Sequence, residues 1–414
     1  MSYPTALSRQ FAPALERPSF NAAPAAVAVA LIALASLYLD AVVGARQALL
    51  FLVGAAAGIV LYHAAFGFTS SWRDFLVHGR GAGIRAQMLM LALTCLVFFP
   101  LLSRGHIGAQ TIRGAVSPVG VSVVAGAFLF GVGMQLGGGC ASGTLYTAGG
   151  GNTRMLATLG AFIAGSVVGT AHAPWWNSTP AARPMSLVAV LGPYGGLAVS
   201  LALFAAIAGV SIAIERRAQR EDRSVDLPKP WANAGALRAV PGGPRRILQG
   251  PWPLVAGAIG LALVNIATLT LSGCPWGVTS AFALWGAKAL AASGVDVGAW
   301  PYWTAPAQAA SLKASLSADV TSVMDVGIVL GALAAAAFAG RFAPTWRVPA
   351  RSLAAAIIGG LLLGYGARIA YGCNIGAYFS GIASGSLHGW LWMVAAFGGN
   401  AAGAHLRPFF GLRR

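Results

Sequence analysis

Two long apolar runs are separated by Gly137-Gly138-Gly139-Cys140-Ala141-Ser142-Gly143, a glycine cluster that contains a thiol. A second stretch, Tyr371-Gly372-Cys373-Asn374-Ile375-Gly376, repeats the pattern 233 positions later (373 − 140). At that offset and without gaps, the residues that coincide are Gly126, Gly131, Gly133, Gly139, Cys140 and Gly143 with Gly359, Gly364, Gly366, Gly372, Cys373 and Gly376. Because the cysteine coincides along with the glycines, the alignment indicates an internal repeat.

The composition is typical of a membrane protein. Of the 414 residues, 57% are hydrophobic and 9% are charged, whereas soluble domains carry about a quarter charged residues. Apolar stretches of about twenty residues recur along the chain, which is the length that an α-helix needs to cross a bilayer. An outer-membrane barrel would show short alternating segments instead. We therefore predict an all-α polytopic membrane protein with about nine to eleven membrane segments, some of them half-helices.

The net charge of +17 resides mainly in loops. In a membrane protein, basic loops orient the chain, because Lys and Arg accumulate on the cytoplasmic side. The basic segment 215–250 is predicted to be a cytoplasmic linker, with a nucleic-acid-binding or lipid-binding patch as the alternative. It separates a first membrane repeat, 24–214, from a second, 251–406, and cytoplasmic tails are predicted at 1–23 and 407–414. The predicted location is the bacterial inner membrane, with both termini in the cytoplasm.

A weaker match pairs Phe66-Gly67-Phe68-Thr69-Ser70 with Trp276-Gly277-Val278-Thr279-Ser280, at an offset of 210 (280 − 70). The loop after the first copy is basic, whereas the loop after the second is nearly neutral and rich in aromatic residues. The two loops are therefore predicted on opposite sides of the membrane, as in an inverted-topology repeat. The predicted fold is accordingly two inverted-topology repeats with broken or re-entrant helices at the centre, where transporters of this plan bind their substrates.

Each glycine–cysteine stretch is predicted to break a membrane helix. Backbone N–H groups at the start of the following half-helix carry partial positive charge and bind anions. A thiol at that position can donate a weak S–H hydrogen bond or be activated as a thiolate. The predicted substrate-binding residues are Cys140, Cys373, Cys274, Gly139, Gly143, Gly372, Gly376, Asn374, Ser142 and Arg368. We predict no catalytic residue, metal site or cofactor, since the four cysteines lack the C-x-x-C spacing of zinc and iron–sulfur sites.

Several of these residues also have plainer interpretations. Glycines serve as close-packing surfaces and cysteines as small buried hydrophobic side chains, and this is the interpretation that we favour for Cys95. Arg368 is either a counter-charge for an anion or a helix-packing or snorkelling residue. Cys274, which lies at a helix break between a glycine and a proline, is either a substrate contact or a small buried hydrophobic side chain. Candidates for proton coupling, with structural roles as the alternative, are Asp325, Lys288, His63 and His388.

The GGGCASG and YGCNIG stretches, the duplicated plan and the length resemble the YeeE/YedE family of sulfur-compound transporters, over roughly residues 45–405. Studied members of that family take up thiosulfate. The resemblance implies that Cys140 and Cys373 line the path and pass thiosulfate along by S–H hydrogen bonds. Compact members use a third cysteine near the N-terminus, and this chain has none before Cys95, so Cys274 is the candidate for that contact.

The resemblance implies a permease for thiosulfate or a related small sulfur-containing anion, with a small cytoplasmic sulfur-carrier protein as a partner. A transporter of a selenium species or of another sulfur species is the alternative. A membrane-embedded thiol sulfurtransferase is a second alternative, although the sequence places no His or carboxylate within several residues of either thiol to act as a base. A channel or scaffold without coupled transport is a third.

Overall fold

The computed structural model describes residues 20–221, 245–344 and 346–413. It is 78% helical, and nine helical segments in these ranges are long and apolar enough, by length and composition, to cross a membrane. The prediction of an all-α polytopic membrane protein is therefore confirmed. Residues 1–19 of the predicted tail and 222–244 of the predicted linker lie outside the described residues.

The helices of the first half, in chain order, are α1 (Ala22–Val42), α2 (Ala45–Ala64), α3 (Phe68–His78), α4 (Ala82–Arg104), α5 (Val121–Gly137), α6 (Ala141–Gly149), α7 (Arg154–Asn177) and α8 (Leu187–Glu221). Two antiparallel ribbons of two-residue strands lie in the loops. They pair β1 (His106–Ile107) with β2 (Gln110–Thr111), and β3 (Val119–Gly120) with β4 (Ala181–Ala182).

The helices of the second half are α9 (Arg245–Gln249), α10 (Leu254–Ser272), α11 (Thr279–Ala292), α12 (Pro301–Thr304), α13 (Pro306–Lys313), α14 (Val320–Phe338), α15 (Ala350–Ile369), α16 (Ser380–Ala383) and α17 (Leu387–Leu406). A π-helical turn, Asn374–Phe379, leads directly into α16. Short 3₁₀ turns lie at Val297–Ala299, Leu316–Ala318 and Arg407–Phe410.

The two halves follow the same order of elements. Helices α2, α3 and α4 correspond to α10, α11 and α14. Helix α5 corresponds to α15, and each is followed by a helix break. After the break, α6 corresponds to the π-helical turn with α16, and α7 corresponds to α17. Packing between the halves is reciprocal, because α2 lies against α14 while α10 lies against α4, and α5 lies against α17 while α15 lies against α7. Helices α5 and α15 also contact each other. The inverted orientation of the halves stays a prediction.

Glycines allow the central helices to approach this closely. Gly399 of α17 lies against the backbone of Phe128 in α5, and Gly331 of α14 lies against the backbone of Ala55 in α2. In both places an added Cβ would overlap a main-chain carbonyl oxygen. Small residues are what permit such contacts between membrane helices. The abundant glycines of the sequence are therefore packing residues as well as helix breakers.

A buried aromatic cluster lies beside the centre of the bundle. The ring of Tyr378 stacks on Trp392 with centroids 6.4 Å apart and meets Trp72 edge-on at 5.8 Å. Helices α1 and α8 lie at the periphery, and most of their side chains are exposed. The exposed side chains of these two helices are predominantly apolar, as expected for surfaces that face lipid.

Candidate functional site

The first break lies between α5 and α6. Helix α5 ends at Gly137, and Gly138 takes a left-handed φ of 90°, which turns the chain out of the helix. After Gly139, Cys140 adopts an extended conformation and is the N-cap residue of α6. The prediction that the glycine cluster breaks a helix and places the thiol at the next helix start is confirmed.

Hydrogen bonds fix Cys140 in this position. Its carbonyl oxygen accepts the N–H of Thr144 at 2.8 Å and the hydroxyl of Thr144 at 2.9 Å. Its Sγ accepts the N–H of Gly143 at 3.4 Å and lies 3.5 Å from Ser142 Oγ. The Sγ therefore accepts a backbone N–H at the helix N-terminus, and its S–H can still act as a weak donor.

The second break follows α15 and has the same design. Tyr371 takes a left-handed φ of 58° and Gly372 a φ of 146°, so the chain reverses before Cys373. Cys373 is the extended N-cap residue of the π-helical turn, and its carbonyl oxygen accepts the N–H of Ala377 at 2.9 Å. This is the same four-residue spacing as the bond from Thr144 to Cys140. A left-handed conformation is rare for a residue that is not glycine and is typical of functional sites.

The two thiols lie in one buried cluster. Cys140 is 2% exposed and Cys373 is 1% exposed. The π-helical turn that Cys373 starts contacts α6, which Cys140 starts. The two sulfur groups are near enough for a charge on one to affect the other, and the backbone N–H groups of Ile375 and Gly376 lie beside the Cys373 thiol. Two helix starts, each with a thiol, therefore converge on one interior position.

Asn374 supplies a polar group without a partner at this position. The residue is fully buried, and neither its Oδ1 nor its Nδ2 has a hydrogen-bond partner. Buried polar atoms in native proteins are nearly always paired. Two positions further along the turn, a Cβ added at Gly376 would meet no heavy atom within 4 Å. The turn thus combines a thiol, an unpaired buried amide and an unfilled position at Gly376.

A chain of buried hydrogen bonds connects this site with the other break of the second half, between α10 and α11. Ser380 donates to the carbonyl oxygen of Trp276 at 2.7 Å. The side chain of Asn265 donates to Ser380 Oγ at 3.1 Å and accepts the backbone N–H of Trp276 at 2.9 Å. Asn265 is a candidate site residue that the sequence analysis missed. The sequence feature that could have indicated it is a lone amide inside the apolar run before Cys274.

The structure places Cys274 apart from the buried pair. Cys274 is exposed and lines an open cavity of about 380 Å³ at the break between α10 and α11. The polar and sulfur-containing residues around this vestibule include Thr268, Ser272, Cys274, Asp319, Thr321 and Met324. Cys274 therefore lies in an open cavity at the surface of the helix bundle rather than among the buried residues around Cys140 and Cys373.

Arg368 is held against Tyr302 of helix α12. Its Nη1 donates to the hydroxyl of Tyr302 at 2.9 Å, and its guanidinium carbon lies 5.2 Å from the centroid of the same ring. Such a cation–π contact with an added hydrogen bond holds the side chain in place. These contacts favour the packing or snorkelling interpretation of Arg368.

Two other arginines hold the broken end of α5. Arg154 donates to the carbonyl oxygens of Leu136 and Gly137, each at 2.6 Å, and Arg407 donates to that of Gln135 at 2.7 Å. Cations stabilise a helix C-terminus, where unpaired carbonyl groups concentrate negative charge. Burial, together with the charges of Arg73 and Arg154, lowers the pKa of Arg407 to about 10. The guanidinium therefore keeps its charge at neutral pH.

The structure thus divides the predicted binding residues into three groups. The buried junction contains Cys140, Gly139, Ser142, Gly143, Gly372, Cys373, Asn374 and Gly376. Cys274 lies in the vestibule, and Arg368 lies against Tyr302. Within the described ranges, His, Cys, Asp and Glu side chains form no group of three that could hold a metal ion.

Comparisons with known proteins identify the family of this chain. A family model described as Sulphur transport matches residues 63–402, a range that includes both cysteine breaks and the vestibule. The thiosulfate transporter TsuA of Spirochaeta thermophila is 29% identical over 359 residues, which is 84% of this chain and 95% of that protein.

Two relatives from Escherichia coli match shorter parts. The probable transporter YedE is 32% identical over 161 residues, 38% of this chain. The thiosulfate transporter TsuA is 29% identical over 127 residues, 30% of this chain. These matches span 39% and 35% of the lengths of those two relatives.

Proposed function

Because the chain belongs to the Sulphur transport family, we propose that it is a membrane permease for thiosulfate or a closely related small sulfur-containing anion. The path passes the buried junction of Cys140 and Cys373. The observation that carries this proposal is the unpaired, buried amide of Asn374, which follows Cys373 at the start of the π-helical turn. An anion at this position would accept the hydrogen bonds that the Asn374 Nδ2–H groups leave unmade.

The chemistry of the junction suits thiosulfate. Its terminal sulfur is soft and accepts weak S–H hydrogen bonds, while its oxygens accept N–H groups at helix starts. A permease must also release what it binds, so several modest donors serve better than one cationic clamp. Arg368, the nearest arginine along the chain, is held by Tyr302. The junction therefore relies on thiols, backbone N–H groups and Asn374.

The relatives support the substrate class. The Spirochaeta thermophila relative that aligns with most of this chain is a thiosulfate transporter. YedE is named as a probable transporter, and its name gives no substrate. Thiosulfate is accordingly our first choice, and another sulfur species or a selenium analogue is the alternative.

The proposed route begins at the vestibule that contains Cys274. It continues along Trp276, Asn265 and Ser380 to the cysteine junction, and leaves past the end of α5 that Arg154 holds. We assign Cys274 the role of a first contact at the mouth. Inverted orientation of the two halves would place the vestibule and the arginine-held end on opposite sides of the membrane.

Location and partners belong to the same proposal. We place the chain in the bacterial inner membrane with cytoplasmic termini, following the basic loops. A small cytoplasmic sulfur-carrier protein is the proposed acceptor for the transported sulfur. No chemical step is assigned to the chain itself.

Uptake by purified protein in sealed vesicles tests the function. Labelled thiosulfate should enter wild-type vesicles, and unlabelled thiosulfate should compete better than sulfate. Gly376→Leu should lower uptake strongly, because a Cβ at this position meets no heavy atom within 4 Å and the longer side chain would occupy the open space there. Its thermal stability should stay near that of wild type. Wild-type vesicles that take up no thiosulfate above empty vesicles would refute the proposed function, and full uptake by Gly376→Leu would refute the route.

A further inference from the structure

We infer that Asp325 carries a proton that is co-transported with the anion, an inference that rests on the proposed function. Asp325 lies in the N-terminal part of α14 (Val320–Phe338), one of the helices long and apolar enough to cross a membrane. The residue is fully buried, and neither carboxyl oxygen has a hydrogen-bond partner. An uncompensated carboxylate in such a place is strongly unfavourable. Burial without a partner therefore favours the neutral, protonated carboxyl group.

The position of Asp325 on α14 directs it toward the cysteine junction. Met324 and Ile328 mark the face of α14 that packs on α2. Val329, one turn after Asp325, instead contacts Gly149 of α6, the half-helix that Cys140 starts. Asp325 is also near enough to Cys373 for a charge on one of the two groups to affect the other. The acid thus lies on the side of α14 that faces the proposed path.

The charge state of Asp325 should depend on proton binding and on the substrate rather than on a fixed ion pair. Among the described residues, Asp319 and Cys373 are near enough for their ionisation to be coupled to that of Asp325, and neither supplies a positive charge. On α11, Lys288 donates to the carbonyl oxygens of Leu312 and Ala314. The other titratable or charged residues on elements that pack on α14 are Tyr38, Asp40, Arg46, Tyr62, His63, Tyr146 and Arg246.

A protonatable acid at this place has a physical use. Thiosulfate carries two negative charges, and an inside-negative membrane potential opposes its entry. A proton bound at Asp325 would be released inward when the anion leaves and regained from outside when the next anion enters. The co-transported proton offsets one of the two charges. Without a proton, a charged Asp325 would also repel the anion from the Cys373 thiol.

Two assays on the same vesicles separate coupling from transport itself. The first measures accumulation of thiosulfate driven by an imposed proton gradient, acidic outside. The second measures exchange of labelled for unlabelled thiosulfate without a gradient, which needs no net proton movement. Each co-transported proton should raise the accumulation ratio by about tenfold per pH unit of gradient, because one unit is a tenfold change in proton activity. The variants are Asp325→Asn and the control Asp40→Asn, an exposed acid on α1, which packs on the same helix.

The inference predicts that Asp325→Asn loses the response to the proton gradient but keeps exchange, and that Asp40→Asn keeps both. An Asp325→Asn protein that accumulates thiosulfate with the gradient as wild type does would overturn the inference. So would loss of exchange in a folded Asp325→Asn protein, since this would indicate a packing or binding role. Wild-type vesicles without exchange would overturn the proposed function instead.

A wild-type measurement keeps the inference testable if Asp325→Asn does not fold. Thiosulfate uptake into vesicles in a weakly buffered medium should make the medium more alkaline as protons enter with the anion. Uptake of thiosulfate with no accompanying proton movement would contradict the inference without any variant.

Discussion

Cys140→Ala and Cys373→Ala are each expected to lower thiosulfate uptake in vesicles by about tenfold or more. A hydrogen bond to a charged group is worth about 1.5–3 kcal/mol, and 1.4 kcal/mol corresponds to about a tenfold change in affinity. A thiol is a weak donor, so the lower end of that range applies. Both thiols start half-helices that converge on the same interior position, so each loss should be felt separately.

Serine replacements separate the contribution of the hydrogen-bond donor to uptake from the contribution of side-chain volume. Cys373→Ser keeps an O–H donor of smaller size and should retain more uptake than Cys373→Ala. Cys95→Ala is the matched control, because Cys95 is equally buried but its sulfur faces the carbonyl oxygen of Ile382 at 3.9 Å. Uptake near the wild-type rate in both alanine variants of the pair would contradict the proposed path.

Gly399→Leu is expected to prevent stable folding. The backbone of Phe128 in α5 lies directly against Gly399, so any side chain must push α17 away from α5. Overpacking of a well-filled core costs about 1–3 kcal/mol and occasionally more. Backbone cannot move aside as a flexible side chain can, so the cost here should lie at or above the upper end. The measurement is the fraction of monodisperse protein after purification and its thermal unfolding midpoint.

The neighbouring glycine provides the control for this prediction. Gly398 also lies in α17, is exposed, and an added Cβ would meet no heavy atom within 4 Å. Gly398→Leu should therefore change stability by less than about 0.5 kcal/mol, as is usual for exposed positions. Equal behaviour of the two variants would show that the packing of α5 on α17 does not require glycine.

The sequence was sufficient to predict the helix breaks and the pairing of the two thiols. Glycine clusters interrupt apolar runs visibly, and the recurrence of a cysteine at the same place in both halves distinguishes Cys140 and Cys373 from Cys95. The N-cap positions follow from the local order of glycine, cysteine and the next apolar run. These are short-range properties, so they can be inferred without knowing how the helices pack.

Residues that depend on distant contacts could not be assigned in the same way. Arg368 contacts Tyr302, 66 positions away, and nothing between them along the chain indicates this contact. Asn265 meets Ser380 across 115 positions. The lack of a hydrogen-bond partner for the Asp325 carboxyl group is likewise a property of the packed bundle, because it depends on which side chains the neighbouring helices place around it. The unpaired amide of Asn374 became informative for the same reason.

The exposure of Cys274 refines the expected set of three thiols. A third contact at the mouth and two at the buried junction would serve different steps, first capture and then passage. The hydrogen bonds through Asn265 and Ser380 connect these two places. Replacing a thiol in the vestibule should therefore have a smaller effect than replacing either buried one.

The most direct test of the buried junction is an experimental structure of the purified protein determined with thiosulfate. We predict density for the anion between the Cys140 and Cys373 thiols, within hydrogen-bond distance of the Asn374 amide. Thiosulfate density confined to the vestibule around Cys274, or a junction without density at concentrations that saturate uptake, would contradict the claim that the paired thiols contact the substrate.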